Sequence, residues 1–223
     1  MPFSHSSRYR IQDEAGVCAA LEIFLDFTLP IVTEFVSVKH VNARYNFCMT
    51  TSNPTPSQTS IVSLREITKD SVRDFCRMTV GPGQDGLVAP NSVSMAQAYF
   101  HKEAWFRGLY ADETPVGFAM MEDWSQVDGV EPELYDGKAY VSLWRFMIDA
   151  RYQQLGFGAQ AMRLLIAHAG TRPDAANMLL SFVPKENNPE NFYARFGFAR
   201  TGEADEGELI MKLALTRKPT FLP

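Results

Sequence analysis

The run Tyr140-Val141-Ser142-Leu143-Trp144-Arg145-Phe146-Met147-Ile148 reads as a buried strand. Phe157 to Ala169 reads as a helix, with Met162, Leu165, Ile166 and Ala169 at core-facing spacing. Between them lies a turn that ends in Gln153-Gln154-Leu155-Gly156, and Gly158 follows just inside the helix. The first amides of a helix have no internal acceptor and lie at the positive end of its dipole. Glycines at 156 and 158 remove side chains that would hold an anion away. Strand, turn and helix together therefore make a cradle sized for a phosphate or pyrophosphate. An ordinary strand-to-helix turn that uses glycine for its geometry would look the same. The spacing is neither GxGxxG nor GxxxxGKS/T, which leaves dinucleotide-binding and P-loop readings without support.

Other chemistry is sparse. Cys18, Cys48 and Cys76 are far apart, an odd set that suits a reducing compartment. His5, His40, His101 and His168 are equally scattered, so no metal site is expected. With 21 basic against 26 acidic residues the formal charge is −5, which gives no general electrostatic reason to bind nucleic acid or anionic lipid. The most apolar early stretch, Gly16 to Val38, is broken by Glu22, Asp26, Pro30 and Glu34. An acid buried in a bilayer costs roughly 2.5–3.5 kcal/mol, and no signal-peptide pattern precedes the stretch. The expected location is cytoplasmic.

The elements around the turn follow a regular order. Ile61 to Ile67 alternates as a strand, with Val62 and Leu64 on one face. A helix capped at Thr68 or Asp70 runs to about Val80, and a second short helix opens at Ser92 or Ser94. Trp105–Tyr110 and Val116–Met121 form a hairpin around Asp112–Pro115. After the central helix come a strand over Met178–Val183, a short helix over Pro189–Phe196 and a last strand over Leu209–Leu213. This order implies an α/β (α+β) sandwich with a mostly antiparallel central sheet flanked by helices. Residues 49–60 are almost devoid of apolar side chains and contain two prolines. Residues 1–60 are accordingly expected to be an N-terminal extension and polar linker, either disordered or ahead of a true start at Met49. A helix from Ala15 to Phe27 packed on the domain is the alternative. Residues 61–215 are the working domain and 216–223 a tail.

Gln153-x-x-Gly156-x-Gly158, after a strand and opening a helix, resembles the acetyl-CoA signature Q/R-x-x-G-x-G/A of the GNAT N-acetyltransferase superfamily. Asn187-Asn188-Pro189-Glu190-Asn191-Phe192-Tyr193-Ala194-Arg195-Phe196-Gly197-Phe198 is similar to that family's Asn…Tyr-x-x-x-Gly-Phe segment. The resemblance spans about residues 61–214. It extends to the bacterial diamine/spermidine N-acetyltransferase branch through Leu64–Thr68, Val116–Ala119, Arg145–Asp149 and Phe192-Tyr193.

The resemblance implies a GNAT-like fold and acetyl-CoA as co-substrate. The backbone of Phe146, Met147 and Ile148 would bond the pantetheine arm. Gln153 belongs to the signature itself, and the amides of Gln154, Leu155, Gly156, Phe157, Gly158 and Ala159 would hold the pyrophosphate. Asn188, or Asn187, would lie near the pantetheine amides, and Tyr193 would protonate the departing thiolate. Gln154 stands where glycine is frequent in the family, and the Asn-to-Tyr loop is shorter than in many members.

Transfer would proceed by direct attack of an amine, and a base must take its proton. Many relatives carry a glutamate on the strand before the turn. This strand has Ser142, Trp144 and Arg145 instead, so Glu122 and Asp123 on the preceding strand are the candidates, with solvated hairpin acids the plain alternative. Residues 112–136 hold eight acids and no Lys or Arg, a field that would concentrate a polycation or simply a solvated loop. Gln84 and Val88-Ala89-Pro90-Asn91 are further candidates for the acceptor wall, with Trp124 and Tyr135 against its alkyl part. The implied acceptor is a small-molecule amine such as a polyamine. A protein, peptide or antibiotic amine, or a non-catalytic acyl-CoA-binding module, remain the alternatives, and such domains often pair as homodimers.

Overall fold

The computed structural model describes residues 8–12, 18–22, 55–126 and 139–216. They fall into two units, one within residues 1–50 and one within 51–223. In the first, β1 (Arg8–Gln12) pairs antiparallel with β2 (Cys18–Glu22), Arg8 opposite Glu22. The helix considered for Ala15 to Phe27 is thus replaced by a strand over Cys18–Glu22. Alternation in Arg-Tyr-Arg-Ile-Gln supplies a strand partner, and pairing outweighs the helix propensity of Ala-Ala-Leu-Glu.

The second unit holds a seven-stranded sheet in the order β3-β4-β5-β6-β7-β9-β8. Its strands are β3 (Val62–Arg65), β4 (Ala104–Ala111), β5 (Thr114–Asp123), β6 (Tyr140–Ile148), β7 (Asn177–Phe182), β8 (Ala199–Asp205) and β9 (Glu208–Ala214). All neighbours are antiparallel except β6 and β7, which are joined by the crossover helix α3 (Phe157–Ala169). The expected mostly antiparallel α/β arrangement is therefore present. Helix α3 buries Phe157, Ala161, Met162, Leu165 and Ala169 on one face of the sheet, against Leu109, Val141, Leu143, Leu180 and Met211. The larger of these side chains each contribute about 1.5–3 kcal/mol. On the other face Phe75, Met78, Phe118, Met120 and Met147 form a second cluster under α1 (Val72–Cys76) and α2 (Asn91–Ala98).

Three expectations shift. Helix α1 stops at Cys76, not near Val80, because the chain turns away to let the Thr79 carbonyl accept the Ala150 N–H at 2.8 Å. Helix α2 starts at Asn91, ahead of the serines, with Pro90 as its N-cap. The last strand is half of a hairpin, because Glu206 (φ 46°) and Gly207 (φ 87°) turn β8 into β9. At the end of the polar tract, buried Ser60 is tied to α3: the Gln160 side chain donates to the Ser60 carbonyl at 3.1 Å and accepts from the Val62 N–H at 3.1 Å.

The sheet splits in its middle. β6 pairs with β7 only from Tyr140 to Leu143, opposite Asn177 to Leu180. Beyond that, Arg145 to Ile148 stay with β5 while Ser181 and Phe182 stay with β9. Trp144 is an extra residue in β6, since Met120 pairs with Arg145 and Met121 with Leu143. Such a bulge bends its strand, and the opening begins there.

Candidate active site

A cavity of about 1410 Å³ occupies this opening. From β6 it is lined by Phe146, Met147 and Ile148, and from the following turn by Gln153, Gln154, Gly156, Phe157, Gly158 and Ala159. Leu155 is not among the lining residues. Its side chain packs on the core and only its amide belongs to the turn.

Asp149 sets the turn. Its carboxylate accepts from the Arg151 N–H at 3.0 Å and from the Arg151 guanidinium at 2.9 and 3.0 Å, capping a short 3-10 turn over Ala150–Tyr152. Burial alone would raise the Asp149 pKa, but these donors outweigh it and hold the group below the ordinary carboxylate value. The Gln153 amide then donates to the Ile148 carbonyl at 3.0 Å and to Gln84 Oε1 at 2.8 Å, clamping the turn to the loop before α2. Gln154 (φ 64°) and Gly156 (φ 85°) are both left-handed, a conformation that glycine adopts freely and glutamine does not. Gly156 is the N-cap of α3, and its carbonyl takes the Ala159 and Gln160 N–H groups at 3.1 and 3.2 Å. The Phe157 and Gly158 amides ahead of them have no acceptor inside the helix. A Cβ on Gly158 would touch Ile148 and Phe192 at 3.7 Å, within the cavity wall.

Asn187, Phe192, Tyr193 and Arg195 from the segment around α4 (Glu190–Ala194) also line the cavity, with the Phe192 ring stacked on Phe146 of β6. Tyr193 is 8% exposed between Phe192 and Phe198, and burial pushes its phenol well above the ordinary value. Asn188 does not line the cavity. Its side chain donates to the Lys185 carbonyl at 2.9 Å and accepts from the Glu190 N–H at 3.0 Å, which closes the loop into α4. Of the adjacent pair, the structure puts Asn187, at φ 60°, on the cavity. Arg163 and Arg195 also line it, and sequence reasoning missed both. For Arg163 a signal existed, a cation on the helix that follows an anion cradle.

Glu122 and Asp123 do not line the cavity either. Asp123 is ion-paired with Arg172 and accepts from the Ser125 N–H at 3.1 Å; despite burial these donors hold its pKa down. Glu122 is raised by burial and lies 3.6 Å from His101 Nδ1. The acceptor-wall candidates fare differently: Gln84, Val88, Ala89 and Pro90 on the loop into α2, and Asn91 at the start of that helix, all line the cavity. Trp124 packs near Tyr140 away from it, while Tyr135 and the acids from Asp128 to Asp136 lie outside the described residues.

The acetyltransferase (GNAT) family profile matches residues 74–198, more than half of the chain. The chain belongs to the GNAT acetyltransferase family. A spermine/spermidine N(1)-acetyltransferase of Bacillus subtilis is 28% identical over 156 residues, covering 67% of this chain and 96% of the relative. Among solved structures, an acetyltransferase from Thermus thermophilus superposes with a TM-score of 0.55 at 13% identity, covering 70% of this chain and 97% of the other. A Pyrococcus horikoshii protein gives 0.52 at 16% identity, covering 70% and 99%. These two show the fold. This GNAT chain is an acetyl-CoA-dependent N-acetyltransferase. Among the described residues no helix is long and apolar enough to cross a membrane, and no three His, Cys, Asp or Glu side chains cluster to hold a metal ion.

Proposed function

We propose that this enzyme transfers the acetyl group of acetyl-CoA to a primary amine of a small cationic molecule, a polyamine first of all, by direct attack in a ternary complex. The observation that carries the reading is the split between β6 and β7, where one cavity is lined both by the turn into α3 and by Gln84 and Val88–Asn91. The curated relative named for spermine and spermidine, matched over nearly its whole length, favours the polyamine.

The residues present fit a pantetheine-bearing nucleotide. Past Leu143 one edge of β6 has no strand beside it, so the backbone of Phe146 to Ile148 offers hydrogen bonds to an extended amide chain. The amides of Gln154 to Gly158 meet the pyrophosphate at the positive end of α3, and Arg163 and Arg195 add full charges. Asn187 takes the place first considered for Asn188. The thioester supplies an activated acetyl group, and amide donors at the β6 bulge stabilise charge on its carbonyl oxygen. Tyr193, kept protonated by burial, delivers its proton to the departing thiolate.

Free-thiol release from acetyl-CoA with a panel of amines tests the reading. Turnover on spermidine, spermine or simple diamines, with a 1:1 acetylated product by mass spectrometry, is expected. Turnover confined to peptide N-termini or to antibiotic amines would replace the proposed acceptor.

A further inference from the structure

An amine arrives at neutral pH as an ammonium ion, and a group on its side of the thioester has to take the proton. Neither acid on β5 lines the cavity; Asp85 and Glu208 do. Asp85 is exposed on the loop before α2, whereas Glu208 opens β9 and is part-buried. Strand alternation fixes the face. Met178, Leu180 and Phe182 of β7 and Leu209 and Met211 of β9 pack on the α3 side, in the same cluster as Tyr193. Ser181 and Glu208 therefore face the other way. The Ser181 hydroxyl donates to Glu208 Oε2 and fixes the carboxylate. Across the opening stands Arg145 of β6, close enough for its charge to act on both Glu208 and Glu122. It makes no ion pair with Glu208: its guanidinium donates to the Trp144 carbonyl at 2.9 Å and to Gln97 at 3.4 Å, and its buried Nε has no partner.

We infer that Glu208 takes the proton of the attacking amine, working from the face of the sheet opposite Tyr193. This rests on the proposed transfer to an amine. The acceptor's ammonium docks on the Glu208 carboxylate and gives up one proton to it, directly or through one water. The nitrogen lone pair then forms the C–N bond to the acetyl carbon as the C–S bond breaks. The thiolate takes the Tyr193 proton, the acetylated nitrogen gives up its second surplus proton to restore the Tyr193 phenol through solvent, and the proton on Glu208 passes to solvent, so that amide, free thiol and one released proton balance the reaction. Two groups on opposite faces suit this division, since attack and departure occur on different sides of the acetyl carbon. No sequence motif marks Glu208, because an acid after Asp205-Glu206-Gly207 reads as part of a solvated turn.

The test is steady-state kinetics of Glu208→Gln, Glu208→Asp and Ser181→Ala on the full chain, with whichever amine the wild type uses best. For Glu208→Gln we expect kcat/KM for the amine to fall about 100-fold at neutral pH, the usual reach of a positioned base, with the KM for acetyl-CoA unchanged. The deficit should narrow as pH rises toward the amine's own pKa, where free base is present in solution. Glu208→Asp should recover part of the loss, and Ser181→Ala should move the same way by less. An active wild type with an unaffected Glu208→Gln overturns this inference alone. So does a loss that is the same at every pH or that comes with weakened acetyl-CoA binding. A wild type that acetylates no amine overturns the proposed function and this inference with it.

Discussion

In the proposed mechanism Tyr193 acts through its buried place on the cavity wall. A phenol with an ordinary pKa near 10 already keeps its proton at neutral pH, and burial among Phe192 and Phe198 strengthens the hold. A thiolate leaving group with a pKa of about 8.5 is a weaker base than the phenolate, so the proposed transfer would be driven by placement and not by acidity. Tyr193→Phe should lower kcat by roughly 10–100-fold and leave the KM for acetyl-CoA in place, as steady-state rates at saturating amine will show. An unchanged kcat removes Tyr193 as the acid. Gln154 presents the converse case, a side chain in a left-handed position that contributes only an amide. Gln154→Gly relieves strain of about 1–2 kcal/mol and gives back part of it as chain entropy. Thermal unfolding should therefore rise slightly while coenzyme A affinity stays the same. The glycine pattern around Gly156 was legible because αL geometry restricts residue choice. Asn187 could not be told from Asn188, since both are asparagine and only the loop's closure through Lys185 and Glu190 separates them.

At the scale of elements, the turn between β6 and α3 depends on Asp149 and on close packing of β5 against β6. Asp149→Ala removes acceptors for three Arg151 donors and should cost about 1–3 kcal/mol. Because the folded group titrates below its ordinary value, the stabilisation is present above that value and is lost as pH falls through the folded pKa. Urea unfolding of wild type and variant should accordingly converge in acid and diverge near neutrality. Gly117→Ala sets a methyl against the Met147 carbonyl and Ile148, so it should destabilise by about 1–3 kcal/mol and spread the strands at the cavity. Tyr140–Ile148 and Phe157–Ala169 were readable to the residue, since their periods are strong and their ends are marked. The Trp144 bulge was not, because it is defined by the register of Met120 and Met121 on the neighbouring strand. The early end of α1 likewise depends on a bond between Thr79 and Ala150, residues far apart along the chain.

For the molecule as a whole, the opening matters because it connects two faces that carry different chemistry. Tyr193 and the α3 core lie on one face, with the Glu208–Ser181 pair on the other, and one cavity meets both. Composition and element order were enough to expect the sandwich, and two motifs were enough to expect the family. The proposed acceptor side was harder to read because its residues come from β6, β7, β9 and the loop before α2, and no short motif spans them. We further propose that residues 51–223 suffice for activity; removing residues 1–50 should leave thiol release unchanged, and a lost rate would assign them a part. Isothermal calorimetry of the full chain with coenzyme A bears most directly on the split sheet as the binding slot. One molecule should bind per chain, and Gly158→Leu, whose side chain grows into the wall at Ile148 and Phe192, should abolish the heat without unfolding the protein. No heat with the wild type, or undiminished binding by Gly158→Leu, would contradict the account.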